Sequence, residues 1–119
     1  MSVVNCKVKY IRPKYDNLKQ WIEDPNNVYV GRGGVVFVEG KRFPSHSSVF
    51  SNPFKIGEDG TRDEVLAKYR DYMYRELCNS PQLQAELWKL RGKNLGCWCA
   101  PEPCHANILL EFISMMQSV

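Results

Sequence analysis

The stretch "KNLGCWCAPEPCHANILLEFISMM", residues 93–116, decides the fold. Its opening "KNLGCWC" reads as a short strand and "APEP" as a turn. From "CHANILLEFISMM" the residues Ile108, Leu109, Phe112, Ile113 and Met116 recur at the spacing of one helix face. Because side chains alternate along a strand, Cys97 and Cys99 are expected on one face and Trp98 on the other. Cys104 and His105 then begin the helix, where backbone amides lack partners and the dipole is positive.

Working back toward the N-terminus, Ser80 before Pro81 signals a shorter helix that turns Leu83, Leu87 and Trp88 inward and is closed by Gly92. Thr61 with Glu64 three positions later spells a capping box. The helix it starts carries Val65, Leu66, Tyr69, Tyr72, Met73 and Leu77 as an apolar stripe. Residues 44–60 hold Ser, Pro, Asn and Gly without a period and read as one long loop, of a length more often functional than loops of ordinary size. "VVFVEGKRF" reads as a hairpin turning at Glu39 and Gly40, and "NVYVGRGG" as a strand running into a glycine turn. "DNLKQWIEDP" predicts a short helix capped by Asp16. "NCKVKYI", residues 5–11, alternates with period two and predicts a strand. Strands early and helix, strand, helix late predict an α/β or α+β arrangement, a short sheet with helices packed on it.

The 119 residues fit one domain, residues 1–119, large enough for a core without disulfides. No stretch approaches the ~20 apolar residues that cross a bilayer, so no membrane partner is expected. The start "MSVVNCKVKY" lacks a signal core, and five cysteines, three of them within eight positions, suit a reducing compartment. The expected location is the cytoplasm or nucleus, not the secreted space. A formal net charge of +3 permits nucleic acid as a partner without indicating it.

Three chemistries compete for the cysteine cluster. As a metal site, Cys97, Cys99, Cys104 and His105 supply three sulfurs and a nitrogen, a set that zinc would occupy, although the ligand spacing departs from the common zinc pattern. As a reactive site, Cys104 at the helix terminus is the nucleophile. His105, pointing ~100° away along the helix, is poorly placed as its base, and His46 in the long loop is the better candidate. In the third reading the cysteines pack as small hydrophobes. Elsewhere, "YVGRGG" offers Arg32 as a fork and Gly33 as backbone open to phosphate, or simply a turn. "SNPFKIGEDGTR" sets Asn52, Lys55 and Arg62 beside a helix N-terminus, a place suited to anions, or else turn dipeptides beside a surface arginine.

Together, "YVGRGG", "SNPF", "GEDGTRDEVLAKY" and "LRGKNLGCWCAPEPCHANIL" resemble, over about residues 28–112, an uncharacterised family of small domains found in phages, large DNA viruses, bacteria and some protists. Its motifs are Y-x-G-R, G-N-P-F, D-G-T-R-x-E-V and L-G-C-W-C-x-P-x-x-C-H. This chain departs from them with Ser51 where glycine is expected and Ala106 where glycine is frequent. The resemblance implies no activity, but it groups Arg32, Asn52, Arg62, Cys97, Cys99, Cys104 and His105 as residues of one site. The expected function is binding, and in its enzymatic version processing, of a phosphate-bearing small molecule, a nucleotide or nucleotide-derived metabolite, near strand ends and helix N-termini. The alternative is a zinc-stabilised module that binds nucleic acid or a protein and is not an enzyme.

Overall fold

In the computed structural model, which describes residues 2–117, the strand expected at residues 93–99 is the centre of the molecule. It is β5 (Asn94–Cys97), and it pairs in parallel with β1 (Ser2–Asn5) on one side and β2 (Asn27–Tyr29) on the other. Residues 1, 118 and 119 of the expected domain lie outside the described residues. The register sets Val3, Leu95 and Val28 in one row across the sheet and Val4, Gly96 and Tyr29 in the next. In a parallel sheet adjacent rows point to opposite faces, so the two rows feed two cores.

The first core joins Leu95, Cys97 and Val30 to three helices: α3 (Arg62–Asn79), α4 (Pro81–Trp88) and α5 (His105–Gln117). Tyr69 and Met73 of α3, Leu87 of α4 and Leu109 and Ile113 of α5 are fully buried there, on the helix faces that the periodicity marks. The second core lies on the other face, where Cys6, Ile11, Leu18, Trp21 and Tyr29 pack with Trp98. Gly96 is required between the cores. A Cβ there would stand 2.5 Å from the Trp21 ring and 2.6 Å from Cys6 Sγ. The fold is a single α/β domain with helices on both faces of a small parallel sheet.

Helix boundaries follow local chemistry. The Thr61 hydroxyl accepts from the Glu64 amide and the Glu64 carboxylate accepts from the Thr61 amide, the reciprocal pair of a capping box. The Ser80 side chain caps α4 with Pro81 in its first turn. The hairpin of β3 (Val36–Val38) and β4 (Lys41–Phe43) turns at Glu39 and Gly40, both with positive φ.

Two expectations need correction. The alternating "NCKVKYI" is not a strand: β1 ends at Asn5, and residues 8–11 form the single-turn helix α1 (Val8–Ile11). Only Ile11 of that turn is buried, while Val8 and Tyr10 are exposed, so the apolar spacing has no sheet face to fill. The helix α2 (Leu18–Glu23) is capped by Asn17, whose side-chain Oδ1 accepts from the Gln20 amide, and not by Asp16.

Candidate functional site

All three parallel strands run the same way, and beyond the C-terminal ends of β2 and β5 the chain leaves a cavity of about 460 Å³. The N-termini of α3 and α5 and the loop of residues 50–58 close its sides. The seven residues grouped by the sequence motifs, Arg32, Asn52, Arg62, Cys97, Cys99, Cys104 and His105, all line it, and so does Lys55. A crevice at the carboxyl ends of parallel strands is where open α/β sheets place ligands.

The loop wall is built by Arg32. Its Nε and Nη2 donate to the carbonyl of Asn52 at 3.1 and 2.8 Å, and Nη2 also donates to the carbonyl of Phe54 at 2.9 Å. Asn52 completes the turn by accepting from the Phe54 amide through its side-chain oxygen. The buried Tyr69 hydroxyl donates to the carbonyl of Phe50, tying the same loop to α3. Arg32 is thus a clamp between strand end and loop.

The opposite wall is the sulfur cluster. Cys97 Sγ and Cys104 Sγ are 2.9 Å apart and buried, and Cys99, half-buried, shares hydrogen bonds with both. Bonds from Cys104 and then Cys97 hold the Cys99 thiol well below the usual range, and Arg62 adds to them through a hydrogen bond and its charge. The same bonds, first with Cys97 and then with Cys99, push Cys104 up, with burial adding to the rise. At Cys97 the bond from Cys104 lowers, but the bond with Cys99 and burial outweigh it. Of the three sulfurs, Cys99 is the one that stands beside a cation, which favours its thiolate form. Arg62 is held in place by donating from Nη1 to the carbonyl of Pro103 at 2.9 Å. Cys104 occupies the cap position of α5, where its amide donates to the Asn107 side chain and the Ala106 amide bonds its sulfur.

His105 is buried and its Nε2 lies 2.7 Å from the carbonyl of Val30, with its ring edge-on to Tyr69. Burial lowers its pKa, so it is neutral. With Nε2 donating to Val30, Nδ1 is the ring nitrogen left to accept. Among the described residues no group of three or more His, Cys, Asp or Glu side chains is arranged to hold a metal ion.

Two other expected residues stand apart. His46 is exposed on the long loop and does not line the cavity, so the structure does not bring it to Cys104. Gly33 does not line it either. Its amide donates to the Ser47 hydroxyl, and a Cβ would stand 2.6 Å from the His46 backbone, so its glycine serves chain packing against its own loop. Gly31, by contrast, does line the cavity, and it too has no room for a side chain, since a Cβ would meet the Tyr29 hydroxyl at 2.5 Å.

Sequence reasoning missed the apolar walls, Val35, Phe54, Ile56, Trp98 and Pro103. Trp98 was assigned to the far side of the strand and does pack in the second core, yet it also reaches the cavity because β5 ends at Cys97 and the chain bends. Its Nε1 donates to the Tyr29 hydroxyl, which donates to the carbonyl of Arg32. The signal available was the aromatic residue inside both motifs, "SNPF" and "GCWC".

The model of a family described as a domain of unknown function, DUF4326, matches residues 14–115. Over 62 residues the chain is 31% identical to an uncharacterised 12.4 kDa protein in the nrdA-td intergenic region of Enterobacteria phage T4. That alignment takes in 51% of this chain and 57% of the phage protein, so the chain spans little more than half the length of the relative it matches. No solved structure matches the chain.

Proposed function

The chain belongs to the DUF4326 family, a domain of unknown function, and with no activity to inherit from it we propose that the cavity binds a phosphate-bearing small molecule of the nucleotide class. The observation that carries this reading is the composition of one cavity: Lys55 and Arg62 beside apolar and aromatic walls that include Phe54 and Trp98. A planar base suits the aromatic wall, and a phosphate suits the cations next to a helix N-terminus. Arg62 supports it by position, since a guanidinium has five N–H donors and its bonds to Pro103 and Cys99 leave others.

The test is a thermal-shift screen with nucleoside mono-, di- and triphosphates, sugar phosphates and free nucleobases. A nucleotide is expected to raise Tm by several degrees at saturation. The combined Lys55→Ala and Arg62→Ala change is expected to weaken that ligand by about tenfold or more, as loss of charge-assisted bonds does. No stabilisation by any of these compounds would defeat the reading, as would unchanged affinity in the double variant.

The zinc-held module for nucleic acid or a protein partner has weaker support. Two sulfurs on one tetrahedral zinc stand about 3.8 Å apart, given a Zn–S bond of ~2.3 Å, whereas Cys97 and Cys104 are 2.9 Å apart.

A further inference from the structure

The sulfur wall of the cavity has a chemistry of its own, whichever ligand the cavity takes. Three sulfurs meet there. Cys99 is the half-buried one, hydrogen-bonded by Arg62 and open to the cavity, while Cys97 and Cys104 lie behind it, buried and in mutual contact. Packing alone would not set an arginine on a sulfur. A cation beside a thiol favours the thiolate, which is the nucleophilic form. A second thiol within bonding reach of the first is the arrangement that lets an attacked sulfur be released again.

We propose that Cys99 and Cys104 form a thiol–disulfide exchange site, with Cys99 as the attacking sulfur, Cys104 as the resolving sulfur, and small anionic disulfides as the substrate class. In the first step the Cys99 thiolate attacks one sulfur of a disulfide R–S–S–R. A bond forms between Cys99 and that sulfur, the R–S–S–R bond breaks, and one R–S⁻ departs with the electron pair. In the second step the Cys104 sulfur attacks Cys99, the mixed disulfide breaks, and the second R–S group leaves with the proton from the Cys104 thiol. The protein loses two electrons to the disulfide and holds a Cys99–Cys104 bond. The choice of an anionic substrate follows from Arg62 and Lys55 at the cavity. Cys104 is the resolving sulfur because it lies buried behind Cys99 at the head of α5 and hydrogen-bonds it, so it stands next to the sulfur that a disulfide would reach from the cavity. Cys6 stays out of the exchange, since burial pushes its thiol up to about 12.

The experiment uses the reduced full chain carrying Cys78→Ser, because Cys78 is exposed and would report on its own. The probe is dithiobis(nitrobenzoate), a dianionic aromatic disulfide. Native protein is expected to release about two equivalents of thionitrobenzoate per chain and retain none, the stoichiometry of attack followed by resolution. Peptide mapping should then show a Cys99–Cys104 link. Cys99→Ser should slow the first release by about tenfold or more, and Arg62→Gln should slow it as well. The probe should outpace neutral dipyridyl disulfide by a wider margin than it does with free cysteine. Should Cys99→Ser fail to fold, brief iodoacetamide treatment of the native chain gives the same answer without that substitution, with Cys99 modified first. The proposal is overturned if native thiols stay silent until denaturant is added, if Cys97 or Cys104 is modified before Cys99, or if the chain retains one nitrobenzoate per site with no second release. Failure to bind nucleotides would remove the phosphate reading and leave these outcomes untouched.

Discussion

The Nε2 of His105 lies 2.7 Å from the carbonyl of Val30, and because a carbonyl oxygen only accepts, that nitrogen carries the proton of the neutral ring. Burial is the first cause that lowers its pKa from 6.5, and the bond to Val30 opposes it only in part. The sign for stability follows. Below about pH 6.5 the unfolded chain takes up a proton at this position that the folded chain refuses. The stability His105 contributes is therefore complete above that pH and declines as the pH falls below it. Urea denaturation between pH 7.5 and 5 should show a falling midpoint, and His105→Gln, which keeps a donor for Val30, should flatten that slope. At this scale the sequence was informative about identity and silent about engagement. Cys97, Cys99, Cys104 and His105 stand out as a cluster in the chain, but nothing in their spacing tells that His105 turns to a strand carbonyl while Cys99 meets Arg62. Those partners come from residues 75 and 37 positions away.

Helix α3 shows how far an element can be read from its own residues. Its start is specified by Thr61 and Glu64, its buried face by Val65, Tyr69 and Met73, and both are short-range patterns. Removing the cap hydroxyl with Thr61→Ala should cost about 1 kcal/mol in a denaturant titration. Because Arg62 occupies the first position of that helix, the same change should loosen the wall beside Cys99. The strands were harder to read. β1 and β5 pair across some ninety residues, Ser2 with Asn94 and Asn5 with Cys97, and no local pattern records such a register. Alternation misled at residues 5–11, where "CKVKY" fits a strand template but belongs to a bend and a single helical turn. Asn17 was passed over as a cap for Asp16 because both residue types serve that role equally well.

At the scale of the molecule, the cavity exists because three separate parts of the chain end in one place: the segment after β2, the loop before α3, and the bend between β5 and α5. Arg32 fastens the first two. Arg32→Ala should release the carbonyls of Asn52 and Phe54, and limited proteolysis within residues 44–60 should speed up by about tenfold or more as local opening becomes easier. Arg32→Lys should not restore the native rate, since an ammonium cannot reproduce the planar fork. That these parts share a wall was suggested by the residue types in the motifs, polar and reactive and not those of a core. That the wall is also aromatic was not. The strand order has a last consequence. The central strand, β5, is the last of the three to be made, and β1 and β2 share no hydrogen-bonded edge without it. Residues 94–97 are the single partner that β1 and β2 share, so the sheet and the cavity at its end depend together on that one short segment.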